Sequence, residues 1–201
     1  MDLVVSLADM LWGWEGLAAL LSVCYVVLAA EGSRWCWPAA FISTAIYTWL
    51  FYGVNLQLDS LLQIYYMYMA VYGWWRWRRG VEDKPLTVVE YSWRWHAVAI
   101  VALLLPTYLL ARFGQDVLHT DFPYWDAFTT CFAVFATYLV ANKVLSNWLY
   151  FFIIDTVSVY LYVMKGLHVT ALLFTVYSLV CIFGYFRWRG EWQGRTAQDS
   201  R

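Results

Sequence analysis

Charge is what this chain has least of. Only 13% of its 201 residues are Asp, Glu, Lys or Arg, against roughly a quarter in an average soluble domain. With 63% hydrophobic and 21% aromatic residues, too few polar side chains remain to cover a globule. That excludes an ordinary soluble fold and predicts an integral membrane protein. A net charge of −1 and the lack of any basic run exclude nucleic acid as a partner. The N-terminal segment carries Asp2 and Asp9 but no Lys or Arg, so it lacks the basic stretch of a cleavable signal. Catalytic signatures are missing as well. There is no GxxxxGK[ST], HExxH or GxSxG, so nothing points to nucleotide hydrolysis, zinc or a serine hydrolase. Cys24, Cys36, Cys131 and Cys181 are scattered without CxxC spacing and read as small apolar packing residues. His96, His119 and His168 fall near the two interfaces, make no ligand spacing and are expected to face water. The reading is therefore not an enzyme, with no cofactor and no metal.

What the chain has instead is apolar runs of spanning length. About 20 mostly apolar residues cross a bilayer as a helix. Seven segments qualify: Trp14–Ala30, Pro38–Val54, Ser60–Trp77, Trp95–Arg112, Trp125–Ala141, Trp148–Met164 and Val169–Trp188. Pro38 and Pro123 sit at helix starts, where a missing N–H costs little. Pro106 lies inside the fourth span and is expected to kink it. Trp and Tyr crowd the span ends as amphipathic rings at headgroup depth, which accounts for most of the 14 tryptophans. Seven spans put Arg34, Arg76, Arg78, Arg79, Lys84, Arg94, Lys143, Arg187, Arg189, Arg195 and Arg201 on one side, and only Arg112 and Lys165 on the other. The positive-inside rule then places the N-terminus outside and the C-terminus in the cytoplasm.

The stretch from Trp148 to Arg189 has an earlier echo. At an offset of 111 residues, Trp148 falls on Trp37, Phe152 on Phe41, Ile153 on Ile42, Tyr177 on Tyr66 and Gly184 on Gly73. Arg187-Trp188-Arg189 falls on Arg76-Trp77-Arg78. Leucine matches between apolar helices mean little, but a Gly followed at one distance by Arg-Trp-Arg in both copies indicates a duplication. Each copy has three spans, an odd number, so one extra helix must separate them if both enter from the same side. The predicted architecture is all-α, seven transmembrane helices in a 3+1+3 arrangement of parallel repeats: residues 14–79, a linker helix at 95–112, and residues 125–189. Such symmetry is that of transporters with a midplane site between the repeats.

Ionisable residues at membrane depth are costly and mark function. Asp155 is central in the sixth span. At about 100° per residue it shares one arc with Asn147, Phe151, Ser158 and Tyr162. The third span carries a matching stripe of Asp59, Gln63, Tyr66, Ala70, Gly73 and Trp74, and the second contributes Ser43, Tyr47 and Thr48, with Trp49 on a different face. One reading is hydrogen-bonding glue between helices, at roughly 1 kcal/mol per bond; it suits Ser43, Thr48, Ser158 and Asn147. The other is a pocket in which aromatic faces stack on a small ring and amides satisfy its polar groups. The residues singled out as substrate-binding are Tyr47, Trp49, Gln63, Tyr66, Asn147, Trp148, Asp155 and Tyr162. A retinal protein is excluded, because Val169–Phe186 holds no lysine for a Schiff base. A seven-helix receptor fits the duplication less well than a carrier, and no loop is long enough for an embedded enzyme.

Trp35-Cys36-Trp37-Pro38 leading into Ile42–Tyr47, Tyr72-Gly73-Trp74-Trp75-Arg76-Trp77, Asn147-Trp148 with Asp155, Tyr160-Leu161-Tyr162, Lys165-Gly166-Leu167, and Gly184-Tyr185 with Arg187-Trp188 carry a further signal. With them the chain resembles the PnuC-type family of bacterial vitamin-precursor transporters. The resemblance implies a SWEET-like fold in the inner membrane and facilitated diffusion of nicotinamide riboside, with thiamine or riboflavin as alternative cargo. It further implies trapping of the imported compound by a cytoplasmic kinase, and a homotrimer. Nicotinamide riboside and thiamine are cations at neutral pH, which suits contact with aromatic faces.

Overall fold

The computed structural model describes residues 13–53, 57–80, 85–119 and 121–199. Asp2, Asp9, Val54, Lys84, Arg201 and the Asp59 side chain lie outside the described residues. Among the described residues there are seven α-helices: α1 (Trp14–Ala30), α2 (Cys36–Gly53), α3 (Gln57–Arg79), α4 (Trp93–Phe113), α5 (Pro123–Ala141), α6 (Asn147–Met164) and α7 (His168–Asp199). Each contains one predicted span, Val54 at the end of the second apart. By length and composition α4, α6 and α7 are apolar enough to cross a membrane, and α1 is apolar but shorter. The other three are diluted by Tyr and Trp, which a hydropathy index scores as polar. Two boundaries differ from expectation. The α-helix runs through Pro106 and is continued by a π-helical turn at Gly114–Leu118. And α7 continues 11 residues past Trp188, because Trp192 packs back onto the core at that end.

The helix ends explain how the chain reverses so tightly. At the end of α1, Gly32 N–H donates to Ala29 O at 2.9 Å and Ser33 N–H to Leu28 O at 2.9 Å. At the end of α5, Lys143 N–H donates to Val140 O at 2.9 Å and Val144 N–H to Leu139 O at 3.0 Å. At the end of α6, Gly166 N–H donates to Val163 O and Leu167 N–H to Tyr162 O. All three are Schellman closures, which require a left-handed residue just past the helix. Gly32 and Gly166 adopt φ of 73° and 74° without a Cβ clash; Lys143 adopts 52° and accepts a strain of about 1 kcal/mol.

Six helices close into a ring. α1 packs on α2, α2 on α3, α3 on α5, α5 on α6, α6 on α7, and α7 back on α1. α4 stands outside it and packs chiefly on α5. One end of the ring is sealed by tryptophan. Trp37 and Trp77 meet edge to face at 5.4 Å and 87°, and Trp148 and Trp188 do the same at 5.3 Å and 86°. Trp77 and Trp188 then meet each other at 6.0 Å. The Trp37 ring lies where a Cβ on Gly73 would stand, and a Cβ on Gly184 would come within 2.7 Å of the Trp148 ring. The bonds cross between the two halves. Trp77 Nε1 donates to Ala141 O at the end of α5, and Trp188 Nε1 to Ala29 O near the end of α1.

Candidate functional site

Inside the ring the sequence places hydroxyls, tyrosines and the carboxylate of Asp155. Asp155 on α6 is 5% exposed. Its Oδ2 accepts from Cys181 Sγ on α7 at 3.5 Å. A thiol is a weak donor, and among the described residues no Lys, Arg or His pairs with this carboxylate. Tyr177, one turn before Cys181, faces Asp155 and Tyr47 and hydrogen-bonds Ser22 of α1. Ser22 Oγ in turn lies 2.7 Å from Ser43 Oγ on α2, and Ser43 donates to Ala18 O at 2.7 Å. Ser43 thus ties α2 to α1, as expected of helix glue. The Thr48 hydroxyl instead donates to Thr44 O of its own helix, and it is the Thr48 backbone oxygen that meets α3, accepting from Ser60 Oγ.

A run of aromatic rings leads away from Asp155 toward the end opposite the tryptophans. Tyr177 meets Phe174 at 5.5 Å, and Phe174 meets Tyr162 at 5.1 Å. Tyr47 stacks on Phe51 and lies near both Tyr162 and Glu15, in the first turn of α1. Tyr66 on α3 adjoins Tyr65 and faces Tyr25 of α1. Gln63, one turn earlier, is half-buried and makes no side-chain hydrogen bond among the described residues. Tyr65 Oη donates to Val134 O on α5, tying the halves together near this level.

Of the eight residues singled out from sequence, Tyr47, Asp155 and Tyr162 gather along this interior, with Tyr66 and Gln63 on the facing helix. Three others do not join them. Trp49 is 65% exposed, as Ile42 is exposed, on the outer face of α2, because it stands about 160° around the helix from Tyr47 and about 120° from Ser43. Trp148 is wedged against Gly184 in the tryptophan seal, edge to face with Trp188. Asn147 is wholly buried and its Nδ2 donates to Val144 O at 2.6 Å, which holds the α5–α6 turn. Its Oδ1, with the Trp37 and Trp148 indole N–H groups, finds no partner among the described residues. Sequence reasoning missed Glu15, Ser22 and Tyr25. The signal was available in the α1 spacing, since Ser22 and Tyr25 lie one turn apart.

His96 departs from the expected water-facing position. Its Nδ1 lies 3.1 Å from Tyr150 Oη, and its Nε2 lies 3.0 Å from Glu90 Oε1 and 3.1 Å from Ser146 Oγ. Ser146 Oγ also donates to Glu90. The trio is not a nucleophile relay. In a relay, serine and carboxylate take opposite ring nitrogens, whereas here both share Nε2. Its work is fastening. Val89 N–H donates to Lys143 O and Leu145 N–H to Val89 O, pairing the segment before α4 with the α5–α6 turn. Tyr91, in that segment, has its phenol pushed up by burial.

Comparison with known proteins agrees with this geometry. The family described as nicotinamide mononucleotide transporter matches residues 13–190. The riboflavin/roseoflavin transporter RibM of Streptomyces davaonensis is 25% identical over 94% of this chain and 88% of its own length. The nicotinamide riboside transporter PnuC of Escherichia coli K12 is 22% identical over 73% of this chain and 72% of its own. In three dimensions the chain resembles the crystal structure of the vitamin B3 transporter PnuC, with a TM-score of 0.74 at 17% identity, covering 94% of this chain and 85% of that one. A multi-pass membrane protein, this chain belongs to the nicotinamide mononucleotide transporter family and is of the PnuC type.

Proposed function

We propose that this protein carries a cationic, ring-bearing vitamin precursor through the centre of the helix ring by facilitated diffusion, with nicotinamide riboside as first cargo and thiamine as second. The observation that carries the reading is Asp155. A buried carboxylate without a counter-cation costs several kcal/mol, and among the described residues its one hydrogen bond comes from a thiol, with Tyr177 facing it. A monocation seated between Asp155 and the aromatic run from Tyr47 to Tyr177 removes that cost and gains contact with the ring faces. Glu15 at the mouth favours the same sign of charge. Riboflavin is neutral and gains nothing from Asp155, although the relative in Streptomyces davaonensis bears that name; it stands third.

The paired contacts of the two halves support a 3+1+3 arrangement of parallel, SWEET-like repeats, residues 14–79 and 125–189 around a linker helix. The carrier then works by rocking one triplet against the other. With the basic end in the cytoplasm of a bacterium, a kinase there traps the cargo. The deciding experiment is a thermal-shift and binding panel of the purified protein against nicotinamide riboside, thiamine and riboflavin. Binding of either cation with no response to riboflavin is the expected result. Response to riboflavin alone would falsify the charge argument, and no response to any of the three would remove the vitamin reading.

A further inference from the structure

Lys143 occupies the position that Gly32 holds at the 111-residue offset, with the same helix closure and the same left-handed backbone. A side chain has been kept where the fold's other copy shows that none is needed. Its destination explains why. From the α5–α6 turn the ammonium reaches across the seam to the first triplet and lies 4.7 Å from the Trp77 ring centre. It stands 3.9 Å from where a Cβ on Gly32 would be. Cys36 of α2 and Glu191 of α7 also face it. Trp77 is itself one of the two tryptophans whose N–H bonds cross between the halves.

We infer that Lys143 is the latch of the tryptophan-sealed end: a cation inserted from the second triplet onto the aromatic cluster of the first, which must withdraw before that end opens. Burial holds the Lys143 ammonium below its ordinary lysine range, and the neighbouring Glu191 offsets part of this. The grip is therefore poised, since a desolvated ammonium regains water the moment the seam parts. Because the first triplet carries only glycine at the matching turn, the device is one-sided. A single side chain fastens the closure, while the backbone and the crossed indole bonds are shared by both halves. The inference rests on the reading of the chain as a carrier whose triplets move apart.

Its test needs no cargo. Cys36 is wholly buried behind the latch, so its alkylation by N-ethylmaleimide, quantified by mass spectrometry on purified full-length protein, reports opening of this end. Lys143→Met keeps the bulk of the stem and removes the charge. Lys143→Gly removes both and relieves the backbone, so its melting temperature should equal or exceed that of the parent. Both variants are expected to label at Cys36 at least ten-fold faster than the parent, with Cys131 on α5 unchanged. Labelling at Cys36 within two-fold of the parent in Lys143→Met overturns the inference, and so does an equal rise at Cys131, which would mean general loosening. A failed cargo panel would sink the proposed function and leave this measurement standing.

Discussion

Asp155 sits among groups that stabilise a charge poorly, so its replacement separates two roles. Asp155→Asn keeps the shape and the bond to Cys181 but drops the charge. A hydrogen bond to a charged group contributes about 1.5–3 kcal/mol, so affinity for the cationic cargo should fall roughly 10- to 100-fold, while the melting temperature of the free protein rises. Isothermal titration checks the first and a thermal scan the second; unchanged affinity would reduce Asp155 to a strut. Gln63→Ala and Tyr66→Ala should likewise weaken binding without loss of expression. Asp155 was legible in the sequence because any carboxylate at membrane depth is costly. Lys143 was legible only as one more loop charge, since its meaning depends on a left-handed backbone and on what stands across the seam. The place of Trp148 in the tryptophan seal was hidden for a related reason. An indole ring offers the same stacking face to a ligand and to another indole, and only the glycine gap beside it decides between them.

At the scale of elements, the two tryptophan–glycine contacts set how closely α2 meets α3 and α6 meets α7. Gly184→Ala puts a methyl 2.7 Å from the Trp148 ring, and overpacking of this kind costs about 1–3 kcal/mol. A thermal scan should show a lower melting temperature, and Gly73→Ala should lower it similarly. Equal stability of both variants with the parent would mean that the helices part freely at these points. The strap ahead of α4 has its own signature. His96→Ala leaves Glu90, Ser146 and Tyr150 without their common partner, so trypsin should cut after Arg94 several-fold faster, read by gel densitometry. Helix existence was readable from apolar length, and the start of α5 from Pro123. The strap was hidden because Val89–Val144 pairing is set by tertiary approach, which no local pattern encodes.

At the scale of the whole molecule, a ring of six helices with sealing contacts at one end suits a carrier that exposes its interior to one side at a time. In proteoliposomes, labelled nicotinamide riboside should equilibrate and stop, whether or not a proton or sodium gradient is imposed. Accumulation beyond equilibrium without a kinase would exclude uniport. The sequence echo set Trp37 and Gly73 against Trp148 and Gly184, which meet as two like contacts, yet it held no information on how the halves join. The α1–α7 and α3–α5 seams depend on surfaces that periodicity reports only as apolar. One consequence follows from α4 standing outside the ring while being strapped to the turn after α5. It is fastened to the second half alone, so a chain divided ahead of it would yield two polypeptides with α4 on the latter. Each chain would then carry one indole donor and one acceptor carbonyl for the other, enough for the two products to recognise one another after translation.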